Sequence, residues 1–185
     1  MGEELKIIYW PDPRLTRTSE PVREFTPALK ELSMRMLELM REAKGVGLAA
    51  PQVGKNIRLF VMNATGEPGD DRIYVNPVLS DPDGEQTAEE GCLSLPDINV
   101  QVSRNKSMRM LAQDLEGNKI DEIQSGFIAR VWQHEFDHLN GVMITDRMGL
   151  GDKLKTRKAL KELEAKYEAE HPRPKTKPKS KSKKK

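Results

Sequence analysis

The pentapeptide His-Glu-Phe-Asp-His at residues 134–138 has the residue types and spacing of a catalytic metal motif. On a helix, residues four apart share one face with Cβ atoms about 5–6 Å apart, so His134 and His138 can bind one divalent cation. Glu135 would then reach a water on the open side of the metal, where a bound cation lowers the pKa of water from about 15.7 to roughly 7. The pattern predicts a metal-dependent hydrolase in which Glu135 accepts a proton.

The sequence around this motif favours a largely buried helix. Residues 127–134 contain neither proline nor glycine, and Phe127 and Val131 extend the helical stripe on which the two histidines lie. Ser125 is a suitable N-cap, and the Asn-Gly pair at 140–141 is a typical C-terminal stop. A surface helix with two chance histidines is disfavoured, because two of the three histidines in the chain lie here.

A third protein ligand decides the kind of site, since catalytic metal sites usually combine three protein ligands with one open position. The third histidine of the extended motif would fall at the position of Ile144. The remaining histidine, His171, lies in a Pro- and Lys-rich segment and is a poor candidate. The spacing leaves open Cys92 or a downstream carboxylate, Glu162 or Glu164.

Cys92 is the only cysteine of the chain and lies in the segment Glu-Gly-Cys-Leu-Ser-Leu-Pro. A lone cysteine is by default a small buried hydrophobe. Its neighbours point elsewhere, because Gly91 allows a close backbone approach and Glu90 is unusual in an apolar core. A thiolate binds a divalent metal well and adds negative charge beside two neutral imidazoles. Cys92 is therefore a candidate ligand, and a generic metallopeptidase with a downstream glutamate as third ligand is the alternative.

A glycine-rich segment, Gly-Val-Gly-Leu-Ala-Ala-Pro-Gln-Val-Gly, occupies residues 45–54. Its first six residues match the G-x-G-x-x-G/A dinucleotide pattern, but that pattern should follow a strand and open a helix. Here a helical run precedes it, and Pro51 and Gly54 interrupt any helix that would begin. We interpret the segment as a strip of backbone against which an extended ligand can lie, with Gln52 able to donate an N–H to a developing oxyanion.

Together, the three segments resemble the peptide deformylases. That family carries G-x-G-L-A-A-x-Q, E-G-C-L-S and Q-H-E-x-D-H-L in this order, and the chain matches them at 45–52, 90–94 and 133–139. The stretch at 8–15 is also similar to the N-terminal segment of the family. Many metallopeptidases share H-E-x-x-H alone, whereas three motifs in register are specific. The resemblance covers residues 5 to about 150.

The resemblance implies hydrolysis of the N-formyl group of nascent chains that begin with formyl-methionine. It implies that Cys92, His134 and His138 ligate the metal and that Glu135 is the general base and acid. It also implies one divalent ion per chain, with Fe²⁺ as the physiological ion. By simple ligand preference the set would suit Zn²⁺, and Ni²⁺ or Co²⁺ are further substitutes.

Further roles follow from the same resemblance. Gln52 and the backbone N–H of Leu93 would stabilise the tetrahedral oxyanion. The backbones of Val46, Gly47 and Gly91 would pair with the substrate peptide as an added strand. The wall of the pocket for the methionine side chain would include Val46, Phe127, Val131 and His134.

The remaining patterns predict an α+β fold. Apolar residues at helical spacing follow Thr26-Pro27, where a helix is expected to begin. Strands are predicted at 59–62, 74–79, 108–115 and 119–123, the last two as a hairpin turning at 116–118. We expect small mixed or antiparallel sheets packed around a central helix that carries the H-E-x-x-H motif, plus a C-terminal helix.

Length and composition fit a single cytosolic enzyme domain. The chain has 185 residues, and its one cysteine excludes an internal disulfide framework. No apolar run is long enough to span a membrane, and the N-terminus shows neither a signal h-region nor a transit peptide. The resemblance implies a role in protein biosynthesis, so we expect a monomer that processes N-formylmethionyl peptides during translation and has no membrane partner.

The C-terminal part changes character. Residues 152–170 have the pattern of a charged helix with a sparse apolar face of Leu154, Leu160 and Leu163. Residues 172–185 contain eight Lys or Arg, three Pro and no acidic residue, so residues 1–171 carry −6 of the net charge of +2. We expect a catalytic domain at 1–150, a charged helix at 151–170 and a disordered basic tail at 171–185.

The tail suggests a transient contact with ribosomal RNA. A non-enzymatic RNA-binding factor with a structural metal is a further alternative for the whole chain. A structural site, however, normally has four protein ligands and no use for Glu135. The sequence offers no fourth ligand, which favours the enzyme.

Overall fold

The computed structural model describes residues 5–172 and has the α+β architecture that the sequence predicts. Its helices are α1 (Pro27–Glu42), α2 (Gly126–Leu139), α3 (Ile144–Arg147) and α4 (Leu150–Glu170), with 3-10 turns at Pro13–Thr16 and Ala50–Val53. Its strands are β1 (Gly47–Ala49), β2 (Leu59–Met62), β3 (Arg72–Asp83), β4 (Gln86–Cys92), β5 (Leu95–Arg104), β6 (Ser107–Gln113) and β7 (Lys119–Ser125). None of the helices in this part of the chain has both the length and the apolar character needed to cross a membrane.

The strands form two antiparallel sheets. The larger sheet has the order β1-β2-β3-β6-β7, and the smaller sheet is the hairpin β4-β5. Strand β1 lies at one edge of the larger sheet, paired with β2. In the hairpin Cys92 pairs with Leu95, so the turn between the two strands begins directly after the cysteine. The fold thus provides two strand edges, β1 and β4, that border the site described below.

Helix α2 lies between the two sheets. On one side Trp132 is fully buried and packs edge-on against Tyr74 of the larger sheet, with ring centroids 5.8 Å apart. On the other side Arg130 donates to the carbonyl oxygen of Val102 in β5 at 3.1 Å. The opposite face of the larger sheet is covered by α1, whose buried residues Met36, Leu37 and Met40 pack on β1 and β2. The expected central helix is confirmed.

The ends of α2 follow the sequence signals. Ser125 is the N-cap residue, although its side chain makes no capping bond, and Gly126 after it has φ +62°, a left-handed conformation that favours glycine. Asn140 is the C-cap. Gly141 has φ +71°, and a Cβ there would lie 2.6 Å from the carbonyl oxygen of Thr16. Helix α2 therefore begins and ends at the residues that the sequence predicts.

The predicted strands are present, but one sheet was missed. Strand β2 has the expected bounds, β3 extends beyond the predicted 74–79, and β6 and β7 form the expected hairpin with Gly117 at φ +84° in the turn. The β4-β5 hairpin was not predicted. Strand β4 has the sequence Gln-Thr-Ala-Glu-Glu-Gly-Cys, which shows no alternation of apolar and polar residues, because its buried position is a carboxylate, Glu90.

The C-terminal helix is present as α4, but its buried face differs from the expectation. Leu160 and Leu163, which were expected on its apolar face, pack against a buried cluster that includes Ile98, Val100 and Val102 of β5 (the β5 cluster). Leu154 was expected on the same face and is 66% exposed. The face that contacts β5 includes Asp152, which accepts from a β5 N–H, and the buried Thr156. Leu154 lies between these two along the chain and so points away. The predicted tail lies outside the described residues, apart from 171–172.

Candidate metal centre and active site

The three side chains proposed as ligands converge on one point. Cys92 ends β4, and His134 and His138 lie one turn apart on α2. Sγ of Cys92 is 3.3 Å from Nε2 of His138, which is 3.2 Å from Nε2 of His134. All three candidate ligand atoms lie within 4.8 Å of one another. Nitrogen and sulfur ligands of a tetrahedral ion lie about 3.3–3.7 Å apart, so the arrangement fits one metal ion.

The groups around the two histidines favour one positive charge shared between their imidazole rings. Burial lowers the pKa of His134, but hydrogen bonds with Cys92 and Glu90 and the charge of Glu135 outweigh it and raise that pKa to about 10. Burial, followed by the charge of His134, lowers the pKa of His138 well below its usual value. The two imidazoles therefore compete for one proton. A cation bound by both Nε2 atoms would take the place of that proton.

The Nδ1 atoms of the two histidines differ in their partners, and within the described chain only that of His134 is held by a hydrogen bond. Nδ1 of His134 lies 3.0 Å from Oε2 of Glu90, so it carries the proton and leaves the lone pair of Nε2 for a metal. Glu90 accepts from Nε and Nη2 of Arg104 at 2.7 and 2.8 Å and from Arg130 at 2.5 Å. Burial would raise the pKa of Glu90, but its partners Arg104 and His134 hold it far below its usual value. Nδ1 of His138 is buried and has no hydrogen-bond partner within residues 5–172.

Two acidic residues that the sequence places near the proposed ligands, Glu90 and Asp137, make different contacts. Glu90 both orients His134 and pairs with arginines. Asp137 accepts from Nη1 of Arg104 at 2.7 Å and from Arg147. No hydrogen bond joins it to the adjacent His138 in the described structure. Sequence reasoning missed Arg147, because its distance from the motif follows no recurring spacing.

Glu135 lies beside the proposed ligands with a free carboxylate oxygen. Its side chain is on α2, the residue is 3% exposed, and Oε2 has no hydrogen-bond partner in the described part of the chain. Burial raises the pKa of Glu135 to about 7, against the lowering effect of His134 and Arg104. The carboxylate lies against Gly47 of β1, where a Cβ would approach Oε1 to 2.3 Å. The absence of a side chain at Gly47 therefore makes room for Glu135.

Gln52 presents its amide nitrogen to the same region. Its Oε1 accepts from the backbone N–H of Ala49 at 2.8 Å, which fixes which end of the amide faces the site. Its Nε2 donates to the hydroxyl of Ser94 at 3.2 Å and lies 3.6 Å from Sγ of Cys92. Sequence reasoning assigned no role to Ser94, although it lies in a recognised motif. The hydroxyl holds the amide that faces the cysteine.

A cavity of about 560 Å³ opens beside these groups. Two of its walls are the backbone preceding and beginning β1, with Val46 and Gly47, and the end of β4, with Gly91. Every residue proposed for catalysis, metal binding or substrate contact lines this cavity except His138: Val46, Gly47, Gln52, Gly91, Cys92, Leu93, Phe127, Val131, His134 and Glu135. His138 is buried behind the wall and reaches the cluster through Nε2.

The alternative third ligands lie elsewhere. Glu162 is exposed on α4 with its carboxylate 3.9 Å from Nζ of Lys158, and Glu164 is exposed on the same helix. His171 stacks on Tyr167 at the end of α4, with ring centroids 4.2 Å apart. Within residues 5–172, the one group of three or more His, Cys, Asp or Glu side chains with metal-binding geometry is that of Cys92 and the two α2 histidines.

Comparisons with known proteins match peptide deformylases both in sequence and in structure. A sequence model of the polypeptide deformylase family matches residues 4–153. A peptide deformylase of Rhodopirellula baltica is 44% identical over 167 residues, covering 89% of this chain and 83% of that protein. A peptide deformylase structure from Plasmodium falciparum superposes with a TM-score of 0.88 at 40% identity and covers 91% of this chain and 100% of its own. A plant peptide deformylase structure gives a TM-score of 0.89 at 38% identity, with coverages of 94% and 96%.

Proposed function

The chain belongs to the polypeptide deformylase family, whose enzymes remove the N-formyl group from nascent peptides, and we propose how its residues perform this hydrolysis. The observation that carries the proposal is the convergence of Cys92, His134 and His138 beside the buried carboxylate of Glu135. This cluster borders a cavity with room for an extended peptide end. The enzyme is a metal-dependent hydrolase, and the assignment of individual residues is the proposal.

Cys92, His134 and His138 hold one divalent metal ion. We assign Fe²⁺ as the native ion on the resemblance to the family, with Zn²⁺, Ni²⁺ or Co²⁺ as substitutes. Two imidazoles and a thiolate suit these transition metals. When bound, the ion polarises the formyl carbonyl and lowers the pKa of water. Glu90 keeps His134 in the tautomer that this role requires.

Glu135 moves the proton. Its Oε2 makes no hydrogen bond among the described residues, and Glu135 lines the same cavity as Cys92 and His134. In this role the carboxylate takes a proton from the water that attacks the formyl carbon and returns it to the leaving amine nitrogen. Gln52 and the backbone N–H of Leu93 donate to the oxyanion that forms at the formyl oxygen. The contact of Gln52 with Ala49 supports this role, because it directs the amide nitrogen towards the site.

The substrate peptide adds a strand between the two sheets. Backbone groups of Val46 and Gly47 at β1 and of Gly91 at β4 border the cavity from opposite sheets. Main-chain pairing at a sheet edge binds a peptide with little regard for its side chains. Phe127 and Val131 on α2 supply apolar wall for the methionine side chain.

Formate release from formyl-Met-Ala-Ser, with acetyl-Met-Ala-Ser as control, tests this assignment. The protein is purified without oxygen and loaded with Fe²⁺ or Co²⁺. We expect release from the formyl peptide alone, and expect Glu135→Gln to abolish it while one metal per chain is retained. No release by wild-type protein that holds one metal would contradict the proposal.

We also propose a partner, a location and an oligomeric state for the enzyme. The eight basic residues of 172–185 support a brief, salt-sensitive contact with ribosomal RNA. We assign the enzyme to the cytoplasm, because its substrates emerge from ribosomes. We assign it as a monomer with a catalytic domain at 1–150, a charged helix at 151–170 and a basic tail at 171–185.

A further inference from the structure

A chain of ion pairs leads from the proposed ligand His134 to the last residue of α3. Glu90 accepts from Nδ1 of His134 at 3.0 Å and, through both of its oxygens, from Nε and Nη2 of Arg104 at 2.7 and 2.8 Å. The remaining nitrogen of Arg104, Nη1, donates to Oδ2 of Asp137 at 2.7 Å. Asp137 also accepts from Nε and Nη2 of Arg147. Four elements, β4, β5, α2 and α3, meet in this chain of contacts.

The inner members of this chain have little freedom to move independently. The side chains of Arg104, Glu90 and Asp137 are 2%, 6% and 9% exposed. All three guanidinium nitrogens of Arg104 donate to these two carboxylates, so a shift of Asp137 changes the position that Arg104 offers to Glu90. A buried carboxylate that loses a partner must find another, because an unpaired charge is costly in a dry interior.

Arg147 is the accessible end of the chain. Its side chain is 41% exposed and borders a second cavity of about 510 Å³, which shares no lining residue with the substrate cavity. It holds Asp137 with two nitrogens, one to each carboxylate oxygen. This fork restricts the rotation of the carboxylate, which a single contact would not.

We propose that Arg147 is a positioning residue for the metal centre, acting through Asp137, Arg104 and Glu90 on the orientation of His134. The inference rests on the ligand set given under the proposed function. Arg147 touches neither a ligand nor the substrate cavity, and the ion pairs connect it to His134. Removal of groups that orient a metal ligand typically weakens metal binding about 10- to 100-fold.

Arg147→Ala and a matched control variant test this role in the full-length protein. The control is Arg109→Ala, because Arg109 is 40% exposed and also grips a carboxylate with two nitrogens, that of Asp121 at 2.8 and 2.6 Å. The readouts are the dissociation constant for Co²⁺, by competition with a chelator, and the absorption bands of bound Co²⁺. We expect Arg147→Ala to raise the dissociation constant about tenfold and to shift the bands, and Arg109→Ala to do neither.

A merely structural role would lower the midpoint of thermal unfolding in Arg147→Ala and leave the Co²⁺ constant and spectrum as in the control. That result would overturn the inference. Arg147→Lys keeps the charge but cannot form the fork, so we expect a dissociation constant between those of wild type and Arg147→Ala. Full recovery by lysine would contradict the role of the fork.

A double variant locates the route of the effect. Once Glu90→Gln has weakened the link to His134, Arg147→Ala should change the Co²⁺ dissociation constant by less than twofold, whereas full additivity would contradict the route through Glu90. If Glu90→Gln does not fold, Arg104→Lys replaces it in the same cycle.

Cys92→Ser separates the two proposals. If the wild-type protein with Co²⁺ shows no thiolate band, or if Cys92→Ser leaves that band in place, the ligand set itself is contradicted. If Cys92→Ser does remove the band, but Arg147→Ala and Arg109→Ala have the same Co²⁺ dissociation constant and spectrum, only the inference on Arg147 is contradicted.

Discussion

Gln52 uses both ends of its side-chain amide, one for its own orientation and one for the site. The oxygen accepts from Ala49 at 2.8 Å, and the nitrogen faces Cys92 and Ser94. Gln52→Ala removes a donor whose bond is strongest in the transition state, so we expect kcat and kcat/KM to fall together by about a hundred- to a thousandfold. Steady-state kinetics on a formylated peptide measure both values, and a rise in KM alone would contradict the assignment.

Gly47 makes room for the carboxylate of Glu135. A Cβ at this position would lie 2.3 Å from Oε1 and 2.8 Å from Cδ of Glu135. Gly47→Ala is therefore expected to displace the carboxylate and to lower kcat/KM by about a hundredfold, the typical cost of a small misplacement of a catalytic group. Metal content should stay at one ion per chain, which atomic absorption checks.

Gly151→Ala is the matched control for that substitution. Gly151 lies on α4, and a Cβ there meets no atom within 4 Å. We expect full activity and a stabilisation of up to about 1 kcal/mol, because alanine favours the helix. Full activity in Gly47→Ala would show that Glu135 does not depend on this space.

At the scale of elements, the two parts of the site differ in how far they could be predicted. Helix α2 is periodic and has a stop signal at Asn140 and Gly141, so its existence and its buried face follow from local sequence. Strand β4 is defined by its partner β5 and by the arginines that neutralise Glu90. Arg104 and Arg130 lie 14 and 40 residues from Glu90 along the chain, so no local sequence pattern predicts this strand.

Two leucine substitutions test which face of helix α4 is buried. Leu163 is half-buried against the β5 cluster, whereas Leu154 is 66% exposed. We expect Leu163→Ala to lower the free energy of unfolding by about 1–2 kcal/mol, less than a fully buried leucine would. Leu154→Ala should stay within about 0.5 kcal/mol of wild type. Urea unfolding of the two variants measures this, and equal losses would contradict the orientation of the helix.

At the scale of the whole molecule, motifs predicted the parts of the site and the fold joins them. Spacing alone left the third ligand open among Cys92, Glu162 and Glu164, because a helix motif does not say which distant segment folds onto it. The choice depends on the hairpin that places Cys92 3.3 Å from His138. The sequence offers Arg104 and Arg130 as partners of Glu90 or Asp137, but only the fold decides which pairs form and brings Arg147 to Asp137.

The uneven distribution of charge leads to a prediction for the whole chain. Residues 172–185 carry eight positive charges against −6 on residues 1–171. Each basic group that neutralises an RNA phosphate releases a counterion, so binding through this segment should fall steeply with salt. We expect the full chain to co-sediment with ribosomes at low salt and to dissociate as salt rises, while a chain ending at 171 stays in the supernatant. A full-length variant with Gln for every lysine after position 172 separates charge from length and should behave like the shortened chain, whereas equal co-sedimentation of all three proteins would contradict a role for these charges.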